Sequence, residues 1–155
     1  MRKKLAVGGL MCLLILGAWL SPVYAGDSLY GKIVEVKSAD LVVLDYGKGH
    51  YTVRIIGIVP PNVEQFAAQS RGFVAGLVLD KRVQLRFEGR NSKGEMVGRL
   101  LTAYDDSAIK DVGLELVRAG LARKQQDYDY KYGELSAAER EARSAKRGLW
   151  SSQKP

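Results

Sequence analysis

The sequence predicts an α+β domain that is mainly β: a small closed barrel of five strands with three helices packed beside it. Apolar and polar residues alternate after residue 28, where Tyr and β-branched residues are frequent. The spacing of apolar residues then becomes that of a helix for one segment. It changes back to that of strands for two segments, and two further helical segments follow. Turns rich in Gly, Pro and Asp separate these segments, as expected for short elements in one compact domain.

The first half supplies three strands and the first helix. The strands are predicted at Leu29–Val36, Leu41–Tyr46 and Tyr51–Ile58. A Gly-Lys-Gly turn joins the second strand to the third, which predicts a hairpin. Proline lacks the N–H that a sheet ladder needs, so Pro60 and Pro61 should end the third strand. Helical spacing of apolar residues then predicts a helix from about Val63 to Leu79.

The second half supplies two strands and two helices. They are predicted at Val83–Phe87, Leu100–Tyr104, Gly113–Ala119 and Glu134–Ala145. Gly120 should end the second helix, and Trp150 should fold back onto the core. A five-stranded barrel of the oligonucleotide-binding (OB) type has this size and order, and such barrels present a face and its loops to single strands or phosphates. That link to function is an analogy between folds.

The first 25 residues have the organisation of a secretory signal peptide. Arg2, Lys3 and Lys4 precede an uncharged apolar run, Leu5–Leu20, and Val23-Tyr24-Ala25 has the small-x-small form of a cleavage site. We therefore expect cleavage after Ala25, a secreted or periplasmic protein, and one domain over residues 26–155 without membrane attachment. The rival interpretation is an uncleaved anchor, but the run is shorter than the roughly 20 residues a spanning helix needs.

Composition excludes some kinds of chemistry for the domain expected after cleavage. The only cysteine, Cys12, lies in the signal peptide, so neither a disulfide nor thiol chemistry is expected after cleavage. Loss of Arg2, Lys3 and Lys4 lowers the formal charge from +7 to +4. A mildly basic surface is compatible with an anionic partner and equally with simple solubility. A monomer is expected.

Three segments together resemble the staphylococcal nuclease (thermonuclease) family. Residues 51–58 (YTVRIIGI) are similar to its third strand, 114–122 (LELVRAGLA) to its L-x-L-V-x-x-G-L-A segment, and 139–150 (EREARSAKRGLW) to its E-x-x-A-R-x-x-x-x-G-L-W ending. The likeness extends from Leu29 to Ser151. It implies the OB-type fold and an ancestry of Ca²⁺-dependent hydrolysis of DNA and RNA, in which carboxylates hold the metal, a glutamate activates water and two arginines hold the phosphate.

Matching the family pattern residue by residue gives a partial site. Asp40 occupies the first metal-ligand position, although the Asp-Gly that precedes it in the family is lost. Arg54 and Arg99 occupy the two phosphate-binding positions. Tyr128 falls near a family tyrosine close to the nucleotide, where its ring could stack on a base or simply pack the loop.

The loop after the third strand departs from the family pattern. The second metal aspartate is replaced by Val59 and the catalytic glutamate by Asn62, and Val97 replaces an aromatic residue in the turn before Arg99. A valine cannot bind a metal, and an asparagine cannot take a proton from water. Any Ca²⁺ should therefore bind weakly or not at all. Glu64, two residues further on, could act as a replacement base or be a solvated residue in the first turn of the helix.

Two classes of function stay open at this point. One is a catalytically impaired nuclease fold that binds single-stranded nucleic acid or a nucleotide weakly, another anion, or a protein. The other is an active Ca²⁺-dependent phosphodiesterase with a rearranged site. The retained residues also have structural interpretations: Arg54 and Asp40 could form an ion pair with each other, and Arg99 could cap a turn or lie in solvent.

Overall fold

The computed structural model describes residues 28–102 and 108–151. The predicted signal peptide and the predicted turn at 105–107 lie outside these residues. The described part contains seven strands and three α-helices: β1 (Ser28–Ser38), β2 (Leu41–Asp45), β3 (His50–Ile55), β4 (Ile58–Val59), α1 (Glu64–Val78), β5 (Arg82–Arg90), β6 (Met96–Thr102), α2 (Val112–Arg118), β7 (Arg123–Lys124) and α3 (Glu134–Ser144). A 3₁₀ turn, Gly148–Trp150, follows α3.

Five of the strands close into a barrel in the order β1-β2-β3-β6-β5. Every pair is antiparallel except β3 with β6, which run parallel. The five-stranded barrel with three helices that the sequence predicts is therefore confirmed, as is the hairpin of the second and third strands.

The barrel encloses a core drawn from inward-facing strand residues and from the helices. Fully buried aliphatic side chains fill it, among them Ile33, Leu44, Val53, Leu85 and Leu100 from the barrel and Leu116 and Leu135 from α2 and α3. Trp150 is also buried, as expected, with the guanidinium carbon of Arg143 4.0 Å from its ring centroid. Because inward residues alternate with outward ones, the polar residues of β3, β5 and β6 are left on the outer face of the barrel.

The predicted third strand, Tyr51–Ile58, was wrong in one respect: the barrel strand ends at Ile55. Gly57 has φ of +85°, a conformation that an L residue rarely adopts, and the chain turns there. Ile58 and Val59 then pair with Arg123 and Lys124 in a separate two-stranded sheet. This short sheet fixes the direction in which the Val59–Asn62 loop leaves the barrel.

The remaining boundaries differ from prediction by a few residues. The strand predicted from Leu100 starts at Met96, and it pairs with β3 through Val53, Arg54 and Ile55. In the described residues, no helix is long and apolar enough to cross a membrane.

Candidate functional site

Asp40 lies in the turn between β1 and β2, and its carboxylate is already engaged. The residue is 7% exposed. The hydroxyl of Ser38 donates a hydrogen bond of 2.7 Å to its Oδ1, and the guanidinium of Arg54 donates to its Oδ2. The turn is held in place because the Asp40 carbonyl accepts a bond of 2.8 Å from the backbone N–H of Ile55. Both carboxylate oxygens thus face protein donors.

Arg54, near the end of β3, is bound by a second carboxylate as well. Its Nε donates to Glu95 Oε2 at 2.7 Å and its Nη2 donates to Oε1 at 3.2 Å, a bidentate pair. Asn91 adds a third donor to Glu95, with its Nδ2 2.7 Å from Oε2. The side chains of Arg54 and Glu95 are 32% and 13% exposed. One arginine is therefore shared between two acids, Asp40 and Glu95.

These contacts shift the pKa values of both members of the bidentate pair. Hydrogen bonds from Arg54 and then Asn91 lower the pKa of Glu95 to about 2. The hydrogen bond to Glu95 in turn raises the pKa of Arg54 above its ordinary value, against the opposing effect of burial. The pair is charged throughout the physiological range, and the positive charge of Arg54 is largely neutralised locally.

Arg99, on β6, is held by a different acid. Its Nε donates to Asp111 Oδ2 at 2.8 Å, and its guanidinium carbon lies 3.6 Å from the ring centroid of Tyr130. Burial works to lower the pKa of Arg99, but the hydrogen bond and charge of Asp111 outweigh it and raise that pKa. The sequence alternatives for Arg99 were a turn cap or a solvated side chain, and the structure instead gives it a buried counterion and an aromatic neighbour.

Asp111 connects this arginine to the start of α2. Its Oδ1 accepts a bond of 3.0 Å from the backbone N–H of Leu114, which caps the helix, and another of 3.0 Å from the Tyr130 hydroxyl. Asp111 is itself only 7% exposed. Sequence reasoning missed both Asp111 and Glu95; the only available signals were an acid before a helical segment and an acid four residues before Arg99.

Arg54 and Arg99 lie on the same outer face of neighbouring strands. β3 and β6 pair in parallel with Arg54 beside Val97, and Arg99 is two residues further along β6, where the side chain returns to the same face. The structure thus brings the two sequence-predicted arginines onto one surface, each with its own carboxylate partners.

Tyr128 lies at the edge of this surface and is packed against the barrel. Its hydroxyl donates to both carboxylate oxygens of Glu88, at 3.0 and 3.2 Å. Its ring meets that of Tyr130 edge-on at 6.1 Å and lies so close to Gly57 that a Cβ there would be 2.7 Å from it. Burial, reinforced by Glu88, raises the pKa of Tyr128 to about 12. This geometry matches the packing alternative for Tyr128 more closely than an open stacking platform.

The loop that should carry the second metal ligand and the base is exposed and offers no acid at those positions. Val59 is 45% exposed at the end of β4, and Asn62 is exposed. A cavity of about 270 Å³ lies beside the loop, and Asp40, Pro60, Pro61 and Glu64 are among its lining residues. Glu64 is thus the second carboxylate on the cavity that Asp40 borders.

The donors present do not fit a calcium site. Ca²⁺ takes six to eight oxygen ligands, usually including several carboxylates. No group of three His, Cys, Asp or Glu side chains that could hold a metal occurs in residues 28–102 and 108–151. Both carboxylate oxygens of Asp40 accept hydrogen bonds from Ser38 and Arg54, so Asp40 is not free to serve as a metal ligand.

Comparison with known proteins agrees with the barrel fold. The model of the family described as "Staphylococcal nuclease homologue" matches residues 42–152. Two Escherichia coli proteins, one from O157:H7, are named "Uncharacterized endonuclease"; they are 29% and 28% identical over 143 residues, covering 92% of this chain and 90% of theirs. A "Probable endonuclease" of Verticillium alfalfae is 29% identical over 112 residues, 64% of this chain and 39% of its own.

Proposed function

Because the chain belongs to the staphylococcal nuclease family, we propose that it is an exported pseudoenzyme of that family, which binds single-stranded nucleic acid or another anion instead of cleaving it. The family is Ca²⁺-dependent in general. In this member, Val59 and Asn62 stand where the second ligand and the base belong.

One observation carries the proposal: Arg54 is shared by Asp40 and Glu95. An arginine that stabilises a phosphoryl transition state must direct its donors at the phosphate. Here three N–H groups of Arg54 donate to carboxylates, and the charge of Asp40 is paired with that arginine. Loss of a positioned general base alone costs about 10²–10⁴ in rate. The arrangement therefore favours binding over hydrolysis.

The remaining capacity to bind comes from the basic outer face. Arg99 keeps part of its guanidinium exposed beside Tyr130, and the exposed Arg86 lies directly opposite it on β5. Phosphate contacts of this kind release counterions, so their affinity falls as salt concentration rises.

Titration calorimetry with single-stranded DNA at low and high salt tests the binding. We expect weak binding at low salt that declines steeply with added salt. Failure to bind at low salt, or an affinity that salt leaves unchanged, would contradict a nucleic-acid ligand and favour a protein partner.

A second function, an active phosphodiesterase with a rearranged site, is favoured by the position of Glu64. Its carboxylate borders the same cavity as Asp40, close to the loop where the family base belongs. If Glu64 is the base, the unaltered protein cleaves DNA with Ca²⁺, and Glu64→Gln lowers the turnover rate by about 10² or more. Equal turnover in Glu64→Gln and unaltered protein would exclude that role.

A further inference from the structure

A second concave surface lies at the other end of β2 from Asp40. It is a pocket of about 260 Å³ between β1, β2 and the start of β5, here called the β1–β5 pocket. Its side chains include two aromatic rings, Tyr30 and Tyr46, and two cations, Lys32 and Arg82, with one acid, Asp45. None of these residues belongs to the site described above.

The strand register fixes how these side chains are arranged. Lys32 lies directly opposite Arg82 on β5 and opposite Asp45 on β2, so these three share one face of the barrel. Tyr30 is two residues before Lys32 on the same face and is 49% exposed. An exposed aromatic ring therefore stands beside a pair of cations.

The second ring of the pocket is held rigidly. Tyr46 packs on Tyr51 with ring centroids 4.8 Å apart and an angle of 35° between the planes. Asp45, the acid of the pocket, is turned toward the adjacent hairpin, where its Oδ1 accepts a bond of 2.9 Å from the Gly47 N–H. The Tyr46 ring thus forms an aromatic wall of the pocket, and one carboxylate oxygen of its acid, Asp45, is already hydrogen-bonded to the backbone.

Of the two cations that line the pocket, one is already paired with an acid and the other is available to a ligand. Lys32 forms an exposed ion pair of 2.9 Å with Asp80. Arg82, in contrast, has no carboxylate within ion-pair distance among residues 28–102 and 108–151. An anion entering the β1–β5 pocket would meet Arg82 without having to displace an acid.

Arg82 also begins a row of arginines that leads to Arg99. Arg86 follows on the same face of β5, and its cross-strand partner on β6 is Arg99. Like charges directly opposite each other destabilise a sheet. Asp111 already offsets part of this cost at Arg99, and an anion bound beside Arg86 would relieve more of it. Arg82 and Arg86 are four residues apart on β5, with Gln84 between them on the same face. They are therefore about 13 Å apart, close to the span of two successive phosphate steps in an extended single strand.

We propose that the β1–β5 pocket takes one unstacked base of a single-stranded nucleic acid, with Tyr30 as its stacking platform and the phosphates running along Arg82 and Arg86 to Arg99. Aromatic rings stack on the faces of unpaired bases, and cations along the groove track the backbone, which is the combination that single-strand binding proteins use. The proposal rests on the proposed function only in taking nucleic acid as the anion.

Fluorescence anisotropy with a short fluorescein-labelled oligothymidylate at low ionic strength tests it. Tyr30→Ala should weaken binding by about fivefold or more, since a single stacked base commonly contributes at least that factor. Tyr30→Phe keeps the ring and should bind as the unaltered protein does. Arg82→Ala should weaken binding more than Arg140→Ala, a control that removes the same charge from an exposed position on α3.

The alternatives give different results. If the unaltered protein does not bind the oligonucleotide, both this inference and a nucleic-acid function fail. If it binds, but Tyr30→Ala is within twofold of it or Arg82→Ala equals Arg140→Ala, only the β1–β5 pocket is excluded. Polyglutamate that displaces the oligonucleotide equally well would also overturn the base-stacking role and indicate an acidic protein ligand.

One readout needs no variant that could misfold. In the unaltered protein, the ring NMR signals of Tyr30 and Tyr46 should shift during the oligothymidylate titration. Signals that stay fixed while those of residues near Arg99 move would contradict the pocket.

Discussion

At the scale of single residues, the position of Arg54 decides what the site can do. A guanidinium between Asp40 and Glu95 is locally compensated and geometrically fixed. The same contacts that make this arginine a good structural element make it a poor free donor to a phosphate. The structural role of Arg54 in this protein follows from its two carboxylate partners more than from its position in the family motif.

Glu95 makes this arrangement sensitive to acid. Its pKa is about 2 in the folded protein, below the ordinary value of 4.5. A carboxyl whose pKa falls on folding stabilises the native state above its unfolded pKa, and this contribution disappears as the pH drops from about 4.5 toward 2. Glu95→Gln should therefore be less stable than the unaltered protein at neutral pH, and the gap should narrow over that window.

Urea unfolding midpoints measured between pH 6 and about 2 would show this, with Glu88→Gln, a change to an acid on β5, as the control. A stability gap that does not depend on pH would contradict the ion pair as its source.

How far the sequence could predict these residues depends on the distance between partners along the chain. The Asp40–Arg54 pair was one of two interpretations open from the sequence, because the two residues flank one hairpin. Glu95 is 41 positions from Arg54, and only the parallel register of β3 with β6 brings them together. A partner set by barrel closure leaves no periodic signal in the sequence.

At the scale of elements, the start of α2 connects the helices to the outer barrel face that carries Arg54 and Arg99. Asp111 caps the helix through Leu114 and binds both Arg99 and Tyr130. The long elements that build the barrel were predictable from their periods. The two-residue strands β4 and β7 were not, since two residues are too short to show a period, and they exist because Gly57 turns the chain.

Substitution at Asp111 separates its two roles. Asp111→Ala removes the cap, about 1 kcal/mol, and leaves the largely buried Arg99 without its counterion, so we expect a loss of about 2 kcal/mol or more. Asp111→Asn keeps an acceptor for Leu114 and should lose less. Chemical denaturation of the two variants makes the comparison, and equal losses would show that the cap contributes nothing.

At the scale of the whole molecule, the protein is an OB-type barrel with a basic outer face, and we propose that it is exported. The family match covers residues 42–152, and the N-terminal segment that precedes it supports the proposal of export. Fold and family followed from sequence because many weak patterns agreed along the chain. The state of the active site did not, because it depends on which side chains the closed barrel places together.

Export predicts a defined N-terminus. A signal peptide with its cleavage site at Val23-Tyr24-Ala25 should leave a protein that begins at or near Gly26. Intact-mass spectrometry of the protein from its native host, with the membrane fraction examined in parallel, provides the measurement. A chain that still begins at Met1 and stays in the membrane would establish the anchor interpretation instead.

We propose that the Val59–Asn62 loop, in a site whose arginine is already neutralised by its partners, has removed hydrolysis. The most direct test compares Ca²⁺-dependent cleavage of single-stranded DNA by the unaltered protein and by the double variant Val59→Asp/Asn62→Glu, with chelator added as the control. We expect little or no cleavage by the unaltered protein and a faster but partial recovery in the double variant, with either single change giving less. The recovery is partial because Arg54 stays bound to Asp40 and Glu95. Brisk Ca²⁺-dependent cleavage by the unaltered protein would contradict this proposal.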